Sequence, residues 1–138
     1  MLYASHGIWV PGVSSLTIDG SGSLDATDDK YAAIGGSSSG GGTGTITIKG
    51  GTICATISTS SDDAAIGGSA DTTSGIIIIY GGNVTASVGQ DCYGAAIGGG
   101  AEGLDGELTI SGVSLKVSDD ESTWTNYDGT RKRYMKTN

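Results

Sequence analysis

Carboxylates recur at one place along this chain: Asp25, Asp28 and Asp29, then Asp62 and Asp63, then Asp91. Each group precedes a copy of the same pentapeptide, so stacking the copies would bring the acids to one edge. Calcium takes about six to eight oxygens, backbone carbonyls among them, and Asp28, Asp29, Asp62, Asp63 and Asp91 could supply such a set. No EF-hand or nonapeptide calcium spacing accompanies them, however, and solvated loop acids are the simpler account.

Two further residue types could do chemistry. Tyr80, Tyr93, Tyr31 and Trp9 could stack on sugar rings, while Trp124 and Tyr127 suit the covering of a last strand against edge pairing. Cys54 and Cys92 could form a bridge between adjacent copies if their Cα atoms fall within about 7 Å. Two cysteines are too few to indicate a redox compartment.

Catalytic chemistry finds little support. The single histidine, His6, sits in an irregular opening segment, and no Gly-x-Ser-x-Gly or Cys–His pairing supports a nucleophile. The adjacent acids Asp62 and Asp63 point in opposite directions if extended, a poor arrangement for acid–base work. Up to residue 118 the cations are Lys30, Lys49 and Lys116, with no arginine. Gly40–Gly42 does not match a phosphate loop. The chain is expected not to be an enzyme, and no cofactor is expected beyond calcium.

The elements that must position these residues are set by repetition. The pentapeptide Ala-Ala-Ile-Gly-Gly occurs at Ala32–Gly36, Ala64–Gly68 and Ala95–Gly99, at steps of 32 and 31 residues. A second motif keeps the step: Leu16–Gly20, Ile46–Gly50, Ile77–Gly81 and Leu108–Gly112. The chain is about four copies of one supersecondary unit, none of which can bury an apolar face alone. The segment from Ser5 to Val10 occupies the place of a degenerate pentapeptide before the first copy.

Within the second copy, Ile46 and Ile48 alternate with Thr45, Thr47 and Lys49, the period of a half-buried strand. After Gly50-Gly51 the alternation resumes with Ile53, Ala55 and Ile57 inward and Cys54, Thr56 and Ser58 outward. Equivalent inward residues are Leu16, Ile18, Leu24 and Ala26; Ile77, Ile79, Val84, Ala86 and Val88; and Leu108, Ile110, Leu115 and Val117. Ile34, Ile66 and Ile97 point inward too, with the glycine pairs making corners. Outside, Thr17, Thr47, Ile78 and Thr109 would stack, beside Ser15, Thr45, Ile76 and Glu107. Thr is a good outward strand residue, and Ile76, Ile78 and Tyr80 interrupt any continuous threonine ladder.

Bulk properties narrow the partners. The net charge is −8 with a pI near 4.2, which argues against nucleic acid, whose phosphates need a basic face. Four of the seven cations, Arg131, Lys132, Arg133 and Lys136, lie in residues 119–138, expected as a cap or linker after a repeat domain of residues 1–118. No segment approaches the roughly 20 apolar residues of a membrane span, and the opening residues lack the regions of a signal peptide.

Two architectures satisfy the pattern. In a parallel stack each copy supplies three short strands, and like residues pile in columns about 4.8 Å apart. In an antiparallel, prism-like array, Gly50-Gly51 turns a hairpin that pairs Ile48 with Ile53. A resemblance favours the first. The run Gly44–Thr56 and the Ala-Ala-Ile-Gly-Gly motif resemble the glycine-rich repeats of large bacterial surface proteins, and the Ile-Thr-Ile cadence is similar to right-handed parallel β-helix carbohydrate-binding modules. The resemblance implies a right-handed β-solenoid of about four coils of ~31 residues, extracellular at a cell surface. It also implies a structural or adhesin-like interaction role, or a carbohydrate-binding one, with a polysaccharide or a host or neighbouring surface protein as partner. A fragment of a polysaccharide-active enzyme is the third alternative.

Overall fold

The computed structural model of the chain describes residues 1–4, 7–37, 42–58, 61–70, 75–102 and 106–137. These form strands and no helices, and His6 lies outside the described residues. The strands are β1 (Leu2–Ala4), β2 (Ile8–Trp9), β3 (Ser15–Ile18), β4 (Ser23–Asp28), β5 (Ile34–Gly35), β6 (Thr45–Ile48), β7 (Thr52–Ile57) and β8 (Ile66–Gly67). There follow β9 (Ile76–Ile79), β10 (Asn83–Val88), β11 (Ile97–Gly98), β12 (Glu107–Ile110), β13 (Leu115–Ser118), β14 (Thr125–Asn126) and β15 (Tyr134–Thr137).

Every third strand shares a sheet. One sheet runs β2-β5-β8-β11 and a second β3-β6-β9-β12, both parallel throughout. The third and longest runs β1-β4-β7-β10-β15-β13-β14 and is parallel as far as β10. The hairpin alternative is thereby excluded: β6 and β7, on either side of Gly50-Gly51, belong to different sheets and pair with the copies before and after. Gly51 takes a φ of 90° at that corner, a conformation open to glycine at little cost.

Register puts like over like. Ile8, Ile34, Ile66 and Ile97 form one column, and Ile46 sits over Leu16 and under Ile77 and Leu108. Thr17, Thr47, Ile78 and Thr109 align on the outer face, as do Ser15, Thr45, Ile76 and Glu107. The inward positions read from the alternation are buried in the two central copies. At the two ends of the second sheet, Leu16 and Ile18 on β3 and Leu108 and Ile110 on β12 are half-buried, because each lacks a covering neighbour on one side.

The pentapeptide does more than turn a corner. Its isoleucine and first glycine form the two-residue strands β5, β8 and β11, so the glycine is itself a strand residue. A Cβ built on Gly35 would stand 1.9 Å from the Gly67 carbonyl oxygen, and one on Gly67 would stand 2.0 Å from that of Gly98. The walls close to backbone contact here, which glycine alone allows.

The final segment departs from the repeat. β15 runs antiparallel and lies between β10 and β13, pairing Ala86 with Met135 and Met135 with Val117. β13 therefore does not pair with β10. Thr137 Oγ1 donates to the Gly82 carbonyl at 2.8 Å and accepts from the Val84 N–H at 2.9 Å, which ties the end of β15 into the ladder. The Ala96 and Val88 N–H groups donate to the carbonyls of Lys132 and Arg133. Residues 119–137 thus supply sheet strands and close the last rung of the core, where Tyr127 packs against the buried cluster.

Candidate functional site

The acidic loops separate once they are placed. Asp28 ends β4 in an inward column shared with Ile57 and Val88 and is buried. Its Oδ1 accepts the N–H groups of Lys30 at 2.8 Å and Tyr31 at 3.0 Å, so the carboxylate caps its own turn. Asp63 is buried as well. It accepts from Ser61 Oγ and, through Oδ1, from the Ala70 N–H at 2.9 Å, joining the residues before the second pentapeptide to those after it. Asp29, Asp62 and Asp91 are exposed. Among the described residues no three acidic, histidine or cysteine side chains gather as a metal site. The physical reason is that the two buried carboxylates are spent on backbone N–H groups.

No disulfide joins Cys54 and Cys92, the bridge the sequence left open. Both are thiols; Cys54 lies exposed on the outer face of β7, whereas Cys92 lies buried in the apolar cluster. The wall of the stack stands between them.

The four aromatic candidates are dispersed. Trp9 is 62% exposed at the β2 position that glycine fills in later copies. Tyr31 is half-buried beside Lys30, whose Nζ lies 5.7 Å from its ring centroid. Tyr80 is half-exposed at the end of β9, extending the outward row of Ile76 and Ile78.

Tyr93 has the most developed setting. It is 78% exposed and borders an open hollow of about 600 Å³ with Asp62, Ala70, Ala101 and Glu102. The Tyr93 N–H donates to the Ser61 carbonyl, and the Ala101 N–H to the Asp62 carbonyl, so three chain segments meet at this corner. An aromatic ring with two exposed carboxylates provides a stacking face and acceptors for hydroxyl groups. Glu102 and Ala101 escaped the sequence reading, which sought acids only before each pentapeptide. The fold brings the residues after it to the same corner, and Glu102, with a φ of 58°, marks a turn that sequence alone does not announce.

A second charged cluster belongs to the closing segment. Asp120 accepts from the backbone of Thr123 and Ser122 and from Ser118 Oγ, and these bonds hold its carboxyl well below the usual range. Lys132 donates to Asp119 at 2.7 Å, which raises its ammonium above the ordinary lysine value. Trp124 Nε1 donates to the Glu121 carbonyl, and Lys136 Nζ lies 4.0 Å from the Trp124 ring.

No protein-family model, curated protein or solved structure matches this chain.

Proposed function

We propose that the chain is a right-handed parallel β-helix of about four coils that serves as a non-catalytic structural and interaction module of an extracellular bacterial surface protein. The observation that carries this reading is the parallel column Ile8–Ile34–Ile66–Ile97, with glycine beside it in three of the four strands. Such columns make a rod that lengthens by one strand spacing per copy, the geometry of a spacer. Handedness follows from the strong preference of parallel crossovers for the right-handed path. The small aliphatic interior is filled by its own side chains, leaving the outer faces for contact. The surface location and adhesin-like role rest on the resemblance of the glycine-rich repeats.

One observation favours a second reading, a carbohydrate-binding module: the hollow bordered by Tyr93, Asp62 and Glu102. A glycan array decides between the two. Specific binding that Tyr93→Ala abolishes and Tyr80→Ala spares assigns the sugar role to this corner. An array blank at all glycans leaves the structural role, and turnover of any polysaccharide would overturn both.

A further inference from the structure

We propose that β15 is an exchangeable strap, filling the place on β10 that the repeat assigns to β13. When it lifts out, β13 moves sideways by one strand spacing and docks there instead. The repeat keeps a step of 31 residues along this part of the stack, pairing Asn83 with Thr52 and Glu107 with Ile76. The same step puts Leu115 beside Val84, Lys116 beside Thr85 and Val117 beside Ala86. The structure keeps those rows but parts them: Lys136 stands between Thr85 and Lys116, and Met135 between Ala86 and Val117. Because β15 is antiparallel to both neighbours, β13 already runs parallel to β10, with Leu115 and Val117 buried on the inner side. The two pairings differ by a sideways step, with no reversal and no change of register.

The hydrogen bonds of this place follow the repeat as well. At the preceding corners the Thr52 N–H donates to the Gly22 carbonyl and the Asn83 N–H to the Gly51 carbonyl. The next acceptor in that series is the Gly82 carbonyl, and Thr137 Oγ1 donates to it at 2.8 Å where the repeat would bring the Ser114 N–H. The regular ladder holds as far as the bond from the Ser111 N–H to the Ile79 carbonyl. The divergence therefore falls between Ser111 and Leu115.

One residue in that stretch explains why β15 prevails. Gly51 and Gly82 turn their corners with φ of 90° and 84°, and Val113 stands at the corresponding position. A β-branched residue resists such an angle, and among the described residues only Glu102 and Glu121 take a positive φ outside glycine. Val113 therefore opposes docking of β13, and a vacated β10 stays mostly open. A second effect pulls the other way. Lys116 and Lys136 are directly opposed across β13 and β15, and like charges so placed destabilise a pair of strands. The Trp124 ring, 4.0 Å from Lys136 Nζ, offsets part of that repulsion. Docking on β10 removes it, since Lys116 then lies beside Thr85.

The test is disulfide trapping in the intact chain, in a Cys54→Ser background because Cys54 neighbours Thr85. With β15 in place the Cα atoms of residues 85 and 116 lie about 10 Å apart, beyond the roughly 7 Å that a disulfide spans; with β13 docked on β10 they lie about 5 Å apart. Under mild oxidation with diamide, Thr85→Cys combined with Lys116→Cys should bridge slowly, and at least tenfold faster once Val113→Gly is added. Val113→Ala should give no such gain. Thr85→Cys combined with Lys136→Cys, partners in the structure, should bridge readily and hold β15 in place. Tryptic mass spectrometry identifies each bridge. A bridge between positions 85 and 116 that forms in none of these chains, or at a rate indifferent to Val113→Gly, or equally faster with Val113→Ala, overturns the proposal. Failure of the bridge between positions 85 and 136 overturns it too, by removing β15 from its place on β10.

Discussion

Gly35 and Gly67 pair in register on adjacent strands, so close that a single added methyl on Gly35 would collide with the Gly67 carbonyl oxygen. The same relation holds between Gly67 and Gly98. Gly67 also holds a φ of 131°, which L side chains rarely adopt. Gly67→Ala should therefore cost at least about 3 kcal/mol, by clash and backbone strain together. Gly22→Ala, with nothing within 4 Å of its Cβ, should change stability by no more than about 0.5 kcal/mol. Urea titrations of the two variants check the contrast.

The middle of the isoleucine column should matter more than its end. Ile66 is fully buried between Ile34 and Ile97, whereas Ile8 is half-buried with a neighbour on one side. Ile66→Ala should destabilise by about 2–5 kcal/mol and Ile8→Ala by clearly less. Ile66→Asp places an unpaired charge in the core and should unfold the domain. A melting temperature unchanged by Ile66→Asp would refute the column.

The closing strand should be as important as any repeat. Met135 is fully buried between Ala86 and Val117, and Thr137 Oγ1 satisfies two backbone groups at once. Thr137→Val keeps the shape but strands the Val84 N–H and the Gly82 carbonyl, at a cost of about 1–3 kcal/mol. Met135→Lys should release β15 and with it β13. Hydrogen exchange at Ala86 and Lys116, whose N–H groups face β15, fast in the variant and slow in the parent chain, would show the release.

Acid should loosen the closing segment before it melts the repeats. Asp120 is held below its ordinary value of 3.8 by the Thr123 and Ser122 N–H groups, and Asp128 is lowered by its bond from Thr130. Depressed carboxyl values give stability that is present above about pH 4 and lost as pH falls through the folded-state values. Lys132 works at the other extreme: its raised value gives a contribution present below about pH 10.5 and lost at higher pH. Trp124 fluorescence, followed in a Trp9→Phe background, should stay constant from pH 5 to 9 and change below pH 4. Asp120→Asn should move the acid change to higher pH or abolish it.

Thiol reactivity should divide the two cysteines. Exposed Cys54 should react with a maleimide within minutes in the native protein, whereas buried Cys92 should react only on unfolding. Mass spectrometry should show one adduct per native chain and two in denaturant.

The repeat body was legible because its physics is local and periodic. Alternating aliphatics mark inward faces wherever a strand is flanked on both sides, and a fixed step of 31 or 32 residues forces like residues into register. The choice between parallel stacking and hairpins was not local. Gly50-Gly51 satisfies both, and only the pairing of β7 with β4 and β10 separates them. Asp28 and Asp63 read as solvated acids but are buried, because composition does not reveal which backbone N–H groups a carboxylate will meet. Tyr134–Thr137 does alternate, with Met135 and Thr137 inward, but nothing in four residues says which sheet or which gap they enter. The corner at Tyr93 was half visible, since Glu102 arrives there only through the path of the chain.

The wedge of β15 between β10 and β13 has a consequence for biogenesis. Residues 134–137 leave the ribosome after everything they separate, so β13 has no finished berth while they remain in the exit tunnel. The early copies can assemble in the order they are made, but the wall that joins β10 to β13 must wait for synthesis of β15, and it closes only when that strand docks.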